Sequence, residues 1–233
     1  PHADLNAALA RYSGRNKKAR LWGTWDGMTI GNRKSLVSLH QAIATVYQDR
    51  YTRQHISLDE DVLSTLAGTI LIESGGRKQA RSSADARGIL QLSPAALSDC
   101  KLAEKFHFHR MAQIDCALSL LEVNHRNLHP TVNAYFGHLP EKKLRRLYSL
   151  LLIQAYHGGV GRVKSLMDSE ALNQAASYFA EHHASYSAED IALGMVFHNL
   201  GRNQFGLNSL YYVTDVGIAQ RLVCGAYPGL AGC

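Results

Sequence analysis

The sequence predicts a mainly α-helical protein, and three observations carry that prediction. From Leu36 onward apolar residues recur at helical spacing in one segment after another, and no region keeps a two-residue alternation for long. Of 233 residues, 46% are hydrophobic and only five are proline, which suits one compact domain with a sizeable core and an extension. Sheet is therefore expected to be small and confined to the loop between Gly76 and Leu92.

Residues 1–33 differ in composition and are read as an N-terminal extension packed on a domain spanning 34–233. Arg11, Arg15, Lys17, Lys18 and Arg20 precede Trp22 and Trp25, the only two tryptophans in the chain. A basic, aromatic arm can bind nucleic acid or stack on sugar rings. Tryptophan more often anchors an extension to a core, and no nucleic-acid motif accompanies this one, so no nucleic-acid partner is expected. The start at Pro1, without methionine or an apolar leader, fits a chain whose leader has been removed.

Leu36, Leu39, Ile43, Val46 and Tyr47 mark a first amphipathic helix. A second carries Val62, Leu66 and Ile70, with Ser57 and Glu60 as a capping box at its start. Ser93-Pro94 reads as a helix start, and Met111, Ile114, Leu118 and Leu121 mark the helix that follows. Pro140 opens a more buried helix with Leu144, Leu147, Leu151 and Ala155, which delivers Tyr156 to its end. Ser187 with Asp190 caps another, and the last, after Asn208, carries Tyr212, Val216, Ala219 and Val223.

The chemistry centres on the end of the Val62 helix. Continuing its stripe puts Glu73 on the interior face in the last turn, because Gly75-Gly76 stops the helix. Burial and the negative end of the helix dipole both raise the pKa expected for a carboxyl placed there. Twelve residues on, Asp85 lies in a loop of small and polar residues. A protonated carboxyl in an apolar setting with a second, wetter carboxyl nearby is what glycosidic-bond cleavage requires.

Glu73-Ser74-Gly75-Gly76 followed by SSADARGILQLSP resembles the soluble lytic transglycosylases and the goose-type lysozymes, where a Glu-Ser pair precedes S-P-x-G-A-x-G-L-M-Q-L-x-P. AYHGGVGRV, from Ala155 to Val163, resembles the family's A-Y-N-A-G-x-G-x-V, and SLYYVTDV, from Ser209 to Val216, resembles a late segment with a Tyr-Val pair. The resemblance implies a lysozyme-like fold with a small irregular or β-containing loop beside the active site. It also implies cleavage of peptidoglycan between N-acetylmuramic acid and N-acetylglucosamine, with Glu73 as general acid. Carried over with it are Ser74 beside the acid, the backbone of Gly88, Ile89 and Leu90 with Gln91 at the sugar site, and Tyr156 and Tyr212 approaching the acid.

Departures from the pattern bear on the outcome. Asp85 replaces a glycine, His157 replaces the Asn of A-Y-N-A-G, and Gly158 replaces its Ala. Transglycosylases resembling this chain use a single carboxyl and let the muramyl 6-hydroxyl attack. Goose-type lysozymes resemble it in having an aspartate in the corresponding loop that helps activate water for inversion, at a carboxyl separation of about 6.5–9.5 Å. Asp85 is thus either a second catalytic carboxyl or an Asx turn standing in for glycine, and the expectation leans to hydrolysis, as in a lysozyme, with transglycosylation to 1,6-anhydro ends as the alternative. His157 joins the substrate-binding candidates and puts recognition of the N-acetyl group in question. A glycan-binding protein that kept the fold without the chemistry is the competing class.

Four cysteines, at 100, 116, 224 and 233, allow three pairings. In an exported, periplasmic or secreted protein the local pairs Cys100–Cys116 and Cys224–Cys233 are expected, the alternative being four free thiols. Neither the cysteines nor the 12 histidines have metal-site spacing, so no metal and no cofactor is expected. The charge-free run from Val62 to Ile72 has eleven residues, and no charge-free apolar run approaches the eighteen or more of a membrane span. A net charge of +6 favours residence near a polyanionic bacterial envelope, and a monomer is expected.

Overall fold

A computed structural model describes residues 4–233; the first three residues, including Pro1 with its implied leader removal, lie outside the described residues. Among the described residues the chain forms ten α-helices and one two-stranded sheet. They fall into two compact units: residues up to Leu120 together with Ile218–Cys233, and Leu121–Gly217.

In the first unit, α1 (Leu5–Tyr12) starts at Asp4, whose carboxylate accepts from the Ala7 N–H at 3.0 Å. It packs against α3 (Val62–Glu73), as does α2 (Leu39–Gln54). The capping box at the start of α2 is Ser38 with Gln41, and Leu36 lies before the helix, partly exposed. Every residue of α3 from Val62 to Leu71 is buried, so this helix is apolar all round rather than along one stripe. It begins after Asp61, not at the box of Ser57 and Glu60, because residues 59–63 first form tight turns, Val62 N–H to Asp59 O and Leu63 N–H to Glu60 O. Then come α4 (Pro94–Asp99), with Ser93 as N-cap and proline in its first turn, and α5 (Arg110–Phe136).

The sheet is not where the sequence pattern placed it. It is a hairpin in the extension, β1 (Gly23–Trp25) against β2 (Met28–Ile30), joined by Asp26-Gly27, both left-handed at φ 48° and 80°. An Asp-Gly pair matches the twist of a tight hairpin, and this local signal outweighs the missing long alternation. The Gly76–Leu92 loop holds only isolated bridges, Arg81 with Arg87 and Arg87 with Leu92. Trp25 packs within the first unit: its ring lies edge-on to Phe106 at 5.1 Å, and its indole N–H donates to Asp115 at 3.1 Å. Trp22 stays half-exposed beneath Arg33.

The second unit centres on α6 (Glu141–Gly158), which starts after Pro140 and packs against α7 (Val160–Asp168) and α9 (Ala188–His198). Helix α8 (Gln174–Glu181) rests on α9, and α9 opens with the Ser187–Asp190 capping box. Helix α10 (Leu207–Ala226) begins in this unit and ends in the first. The cysteines form the local pairs, Cys100–Cys116 and Cys224–Cys233, with Cα separations of 5.6 and 5.3 Å. No helix among the described residues is long and apolar enough to cross a membrane.

Candidate active site

In the first unit, Glu73 is the last residue of α3 and is half-buried. The helix ends because Gly75 and Gly76 turn left-handed, at φ 61° and 74°. A Cβ on Gly75 would lie 3.0 Å from the Arg11 guanidinium, which donates from Nε to the Gly75 carbonyl. An arginine of α1 therefore sits at the negative end of the helix that carries the acid, a favourable position for a cation.

Ser74 is 1% exposed, and its hydroxyl is engaged within the fold. It donates to the Ile89 carbonyl at 2.7 Å and accepts from the Gly76 N–H at 3.0 Å, tying the end of α3 to the loop that follows. Ile89 and Leu90 are core side chains, buried on all sides, so what this segment can offer a sugar is backbone. Gln91 is half-buried at φ 47°, its amide donating to the Gly88 carbonyl at 3.0 Å.

Gln113, one turn into α5, organises the same segment and was not among the residues singled out from the sequence. Fully buried, it accepts from the Leu90 N–H at 3.1 Å and donates to the carbonyls of Arg87, at 2.7 Å, and His107. A Cβ on Gly88 would fall 2.2 Å from its amide nitrogen, so glycine there is a packing requirement as well as a backbone one, at φ 75°.

Asp85 stands at φ 62° in the turn where Ser82 accepts from the Asp85 N–H. That left-handed backbone explains why the family pattern has glycine at this position. Its carboxylate accepts from both Nε and Nη2 of Arg87, at 3.1 and 2.6 Å, and from Arg81 at 2.5 Å. Hydrogen bonds from these two guanidiniums, Arg87 first, hold its pKa down at about 2. Arg87 in turn meets the His107 ring nitrogen at 2.6 Å.

In the second unit, α6 ends in Tyr156, His157 and Gly158. His157 stacks on Tyr212 of α10, ring centroids 4.1 Å apart and planes within 16°. One edge of the imidazole stays exposed, while partial burial, with the nearby Arg162 charge, holds its pKa below the usual histidine value. Tyr156 and Tyr212 are both half-buried. Among the described residues no group of three or more His, Cys, Asp or Glu side chains is placed to hold a metal ion.

A mainly helical chain in which Glu73 ends a buried helix, beside a loop clamped by Ser74 and Gln113, has a lysozyme-like fold. The transglycosylase SLT domain family matches residues 51–179, more than half of the chain, and the chain belongs to that family of peptidoglycan-cleaving enzymes. The matched span contains Glu73, the Gly88–Gln91 loop and the Tyr156-His157-Gly158 segment, whereas α1, the hairpin and Tyr212 lie outside it. No curated protein matches the chain.

Proposed function

We propose that this enzyme cleaves peptidoglycan between N-acetylmuramic acid and N-acetylglucosamine as an exported lytic transglycosylase, with Glu73 as its single catalytic carboxyl. Glu73 protonates the bridging oxygen as the C1–O glycosidic bond breaks, the muramyl 6-hydroxyl bonds to C1 and returns its proton to the Glu73 carboxylate, and a 1,6-anhydro end remains. The backbone of Gly88–Leu90 and Gln91 line the sugar site, and Tyr156 and Tyr212 are the tyrosines that the family's pattern assigns to the glycan.

The observation that carries this choice is the state of Asp85. A carboxylate that receives three hydrogen bonds from two arginines, with its pKa near 2, is a poor proton acceptor at neutral pH. Hydrolysis is the second reading, favoured by Asp85 being a second carboxyl in the loop at all. It requires the aspartate to leave its arginines and activate water.

Mass spectrometry of muropeptides released from purified sacculi separates the two, since an anhydro end is one water lighter than a reducing end. Predominantly anhydro products are expected. Glu73→Gln should lose activity by roughly 100-fold or more while keeping its circular dichroism spectrum, because glutamine preserves shape but donates no catalytic proton. Equal release by wild type and mutant would end the enzymatic assignment of Glu73.

A further inference from the structure

Gln154 lies in the middle of the second unit's α6 and is 1% exposed, yet among the described residues neither its amide oxygen nor its amide nitrogen has a hydrogen-bond partner. Buried amides are nearly always paired, because an unpaired one has lost its water for nothing. A side chain with both ends unpaired is therefore a candidate for a partner that comes from outside the fold.

The surroundings say where such a partner would enter. Gly158 is one helical turn further along the same face. A Cβ there would stand 3.5 Å from the Gln154 amide nitrogen and 3.8 Å from Nη1 of Arg162. Arg162 is held in place by a hydrogen bond from Nη2 to the Gln204 amide oxygen at 2.8 Å. Two N–H donors thus border the point that a methyl group would fill if residue 158 were alanine, the residue of the family pattern. An acceptor oxygen that moves inward from that point can reach the two donors, and the Gln154 carbonyl beside it can receive an N–H.

We infer that Gln154, opened by Gly158 and flanked by Arg162, is a specificity-determining residue that binds the acetamido group of an amino sugar. This rests on the glycan-cleaving reading above. The acetyl carbonyl accepts from Gln154 Nε2 and Arg162 Nη1, and the acetamido N–H donates to Gln154 Oε1. The two departures in this segment then belong to one change. His157 takes the position of the pattern's Asn and stacks on Tyr212, and Gly158 takes that of its Ala, one turn after the buried amide of Gln154.

The test uses binding, so that it does not depend on turnover. In the Glu73→Gln background, calorimetry is run with the N-acetylglucosamine tetramer and with its de-N-acetylated counterpart. Gln154→Leu and Gly158→Ala should each weaken binding of the acetylated tetramer roughly 3- to 10-fold, the effect of one or two neutral hydrogen bonds. Neither should alter binding of the de-N-acetylated tetramer. Both should raise Tm by about 2–4 °C, one by removing an unpaired buried amide and the other by adding helix propensity to a residue whose backbone is not left-handed.

A merely structural glutamine gives the same stabilisation with unchanged affinity, and that result overturns the inference. So does an equal loss for both tetramers, or a parent protein that binds neither. Activity of the wild type on sacculi is read separately, so an inactive wild type refutes the proposed function without being confused with a failure at Gln154.

Discussion

At the scale of single residues, Asp85 shows how one substitution can satisfy a backbone and at the same time set a carboxylate in the candidate site. Its left-handed φ needs glycine or one of the few side chains that tolerate it, and aspartate is one of those. Once there, it binds Arg81 and Arg87. Because its pKa is lowered in the folded state, what it contributes to stability is fully present above its unfolded value of about 4 and fades as pH falls through about 2. Thermal melts should therefore show a small advantage of wild type over Asp85→Asn at pH 5 that has vanished by pH 2. The share of anhydro products from Asp85→Asn should match wild type, since the carboxylate is a loop staple. A switch in product, or complete loss of cleavage, would return Asp85 to the chemistry. From the sequence, the spacing and residue type of Asp85 were visible, but the two arginines that occupy it were not. Their partnership depends on a turn that brings residues 81, 85 and 87 onto one carboxylate.

At the scale of elements, the Gly88–Gln91 loop is held from both flanks by buried side chains whose partners are backbone groups. Ser74 holds the Ile89 carbonyl from the end of α3, and Gln113 holds Leu90, Arg87 and His107 from α5. Ser74 was legible because it follows the acid in a recognisable motif. Gln113 was not, because its partners are backbone groups as far as 26 residues away, which leave no side-chain pattern behind. The hairpin, by contrast, had a readable Asp26-Gly27 signal that a search for long alternation passed over. The start of α3 was displaced because Ser57 and Glu60 match a capping box locally while tight turns carry the chain on to Asp61. Gln113→Ala would take the Gln113 amide from the Leu90 N–H and the His107 carbonyl, at about 1–3 kcal/mol for each group left unsatisfied, while the Arg87 carbonyl keeps the Leu92 N–H. Urea denaturation should show a loss of at least about 2 kcal/mol, with kcat on sacculi falling even where the variant is fully folded. Wild-type stability in that variant would mean the clamp is idle.

At the scale of the whole molecule, both disulfides stabilise the unit that contains Glu73. Cys100–Cys116 joins the end of α4 to the first part of α5, the helix that carries Gln113. Cys224–Cys233 folds the C-terminus back, and that segment presses on the start of α3. A Cβ on Gly232 would lie 2.3 Å from the Ser64 hydroxyl, which also accepts from the Gln220 amide at 2.7 Å. Local pairing was the simplest of the three options from spacing alone. What spacing could not reveal is that the short C-terminal loop backs the helix that ends in Glu73. Each bridge closes a short loop, with sequence separations of 16 and 9, and should contribute about 2–4 kcal/mol. The prediction for the protein in its native compartment follows from redox chemistry. Structural disulfides of this kind persist outside a reducing cytosol, so protein isolated from that compartment without reductant should show no alkylatable thiol by mass spectrometry. Replacing Cys224 and Cys233 by serine should lower the unfolding free energy by about that 2–4 kcal/mol. Amide exchange should then quicken first near Ser64 and Gln220, because that contact loses its covalent tether. Four free thiols in the isolated native protein would refute the disulfides and the extracytoplasmic setting together, whereas unchanged exchange at Ser64 would refute only the mechanical link between the C-terminal loop and α3.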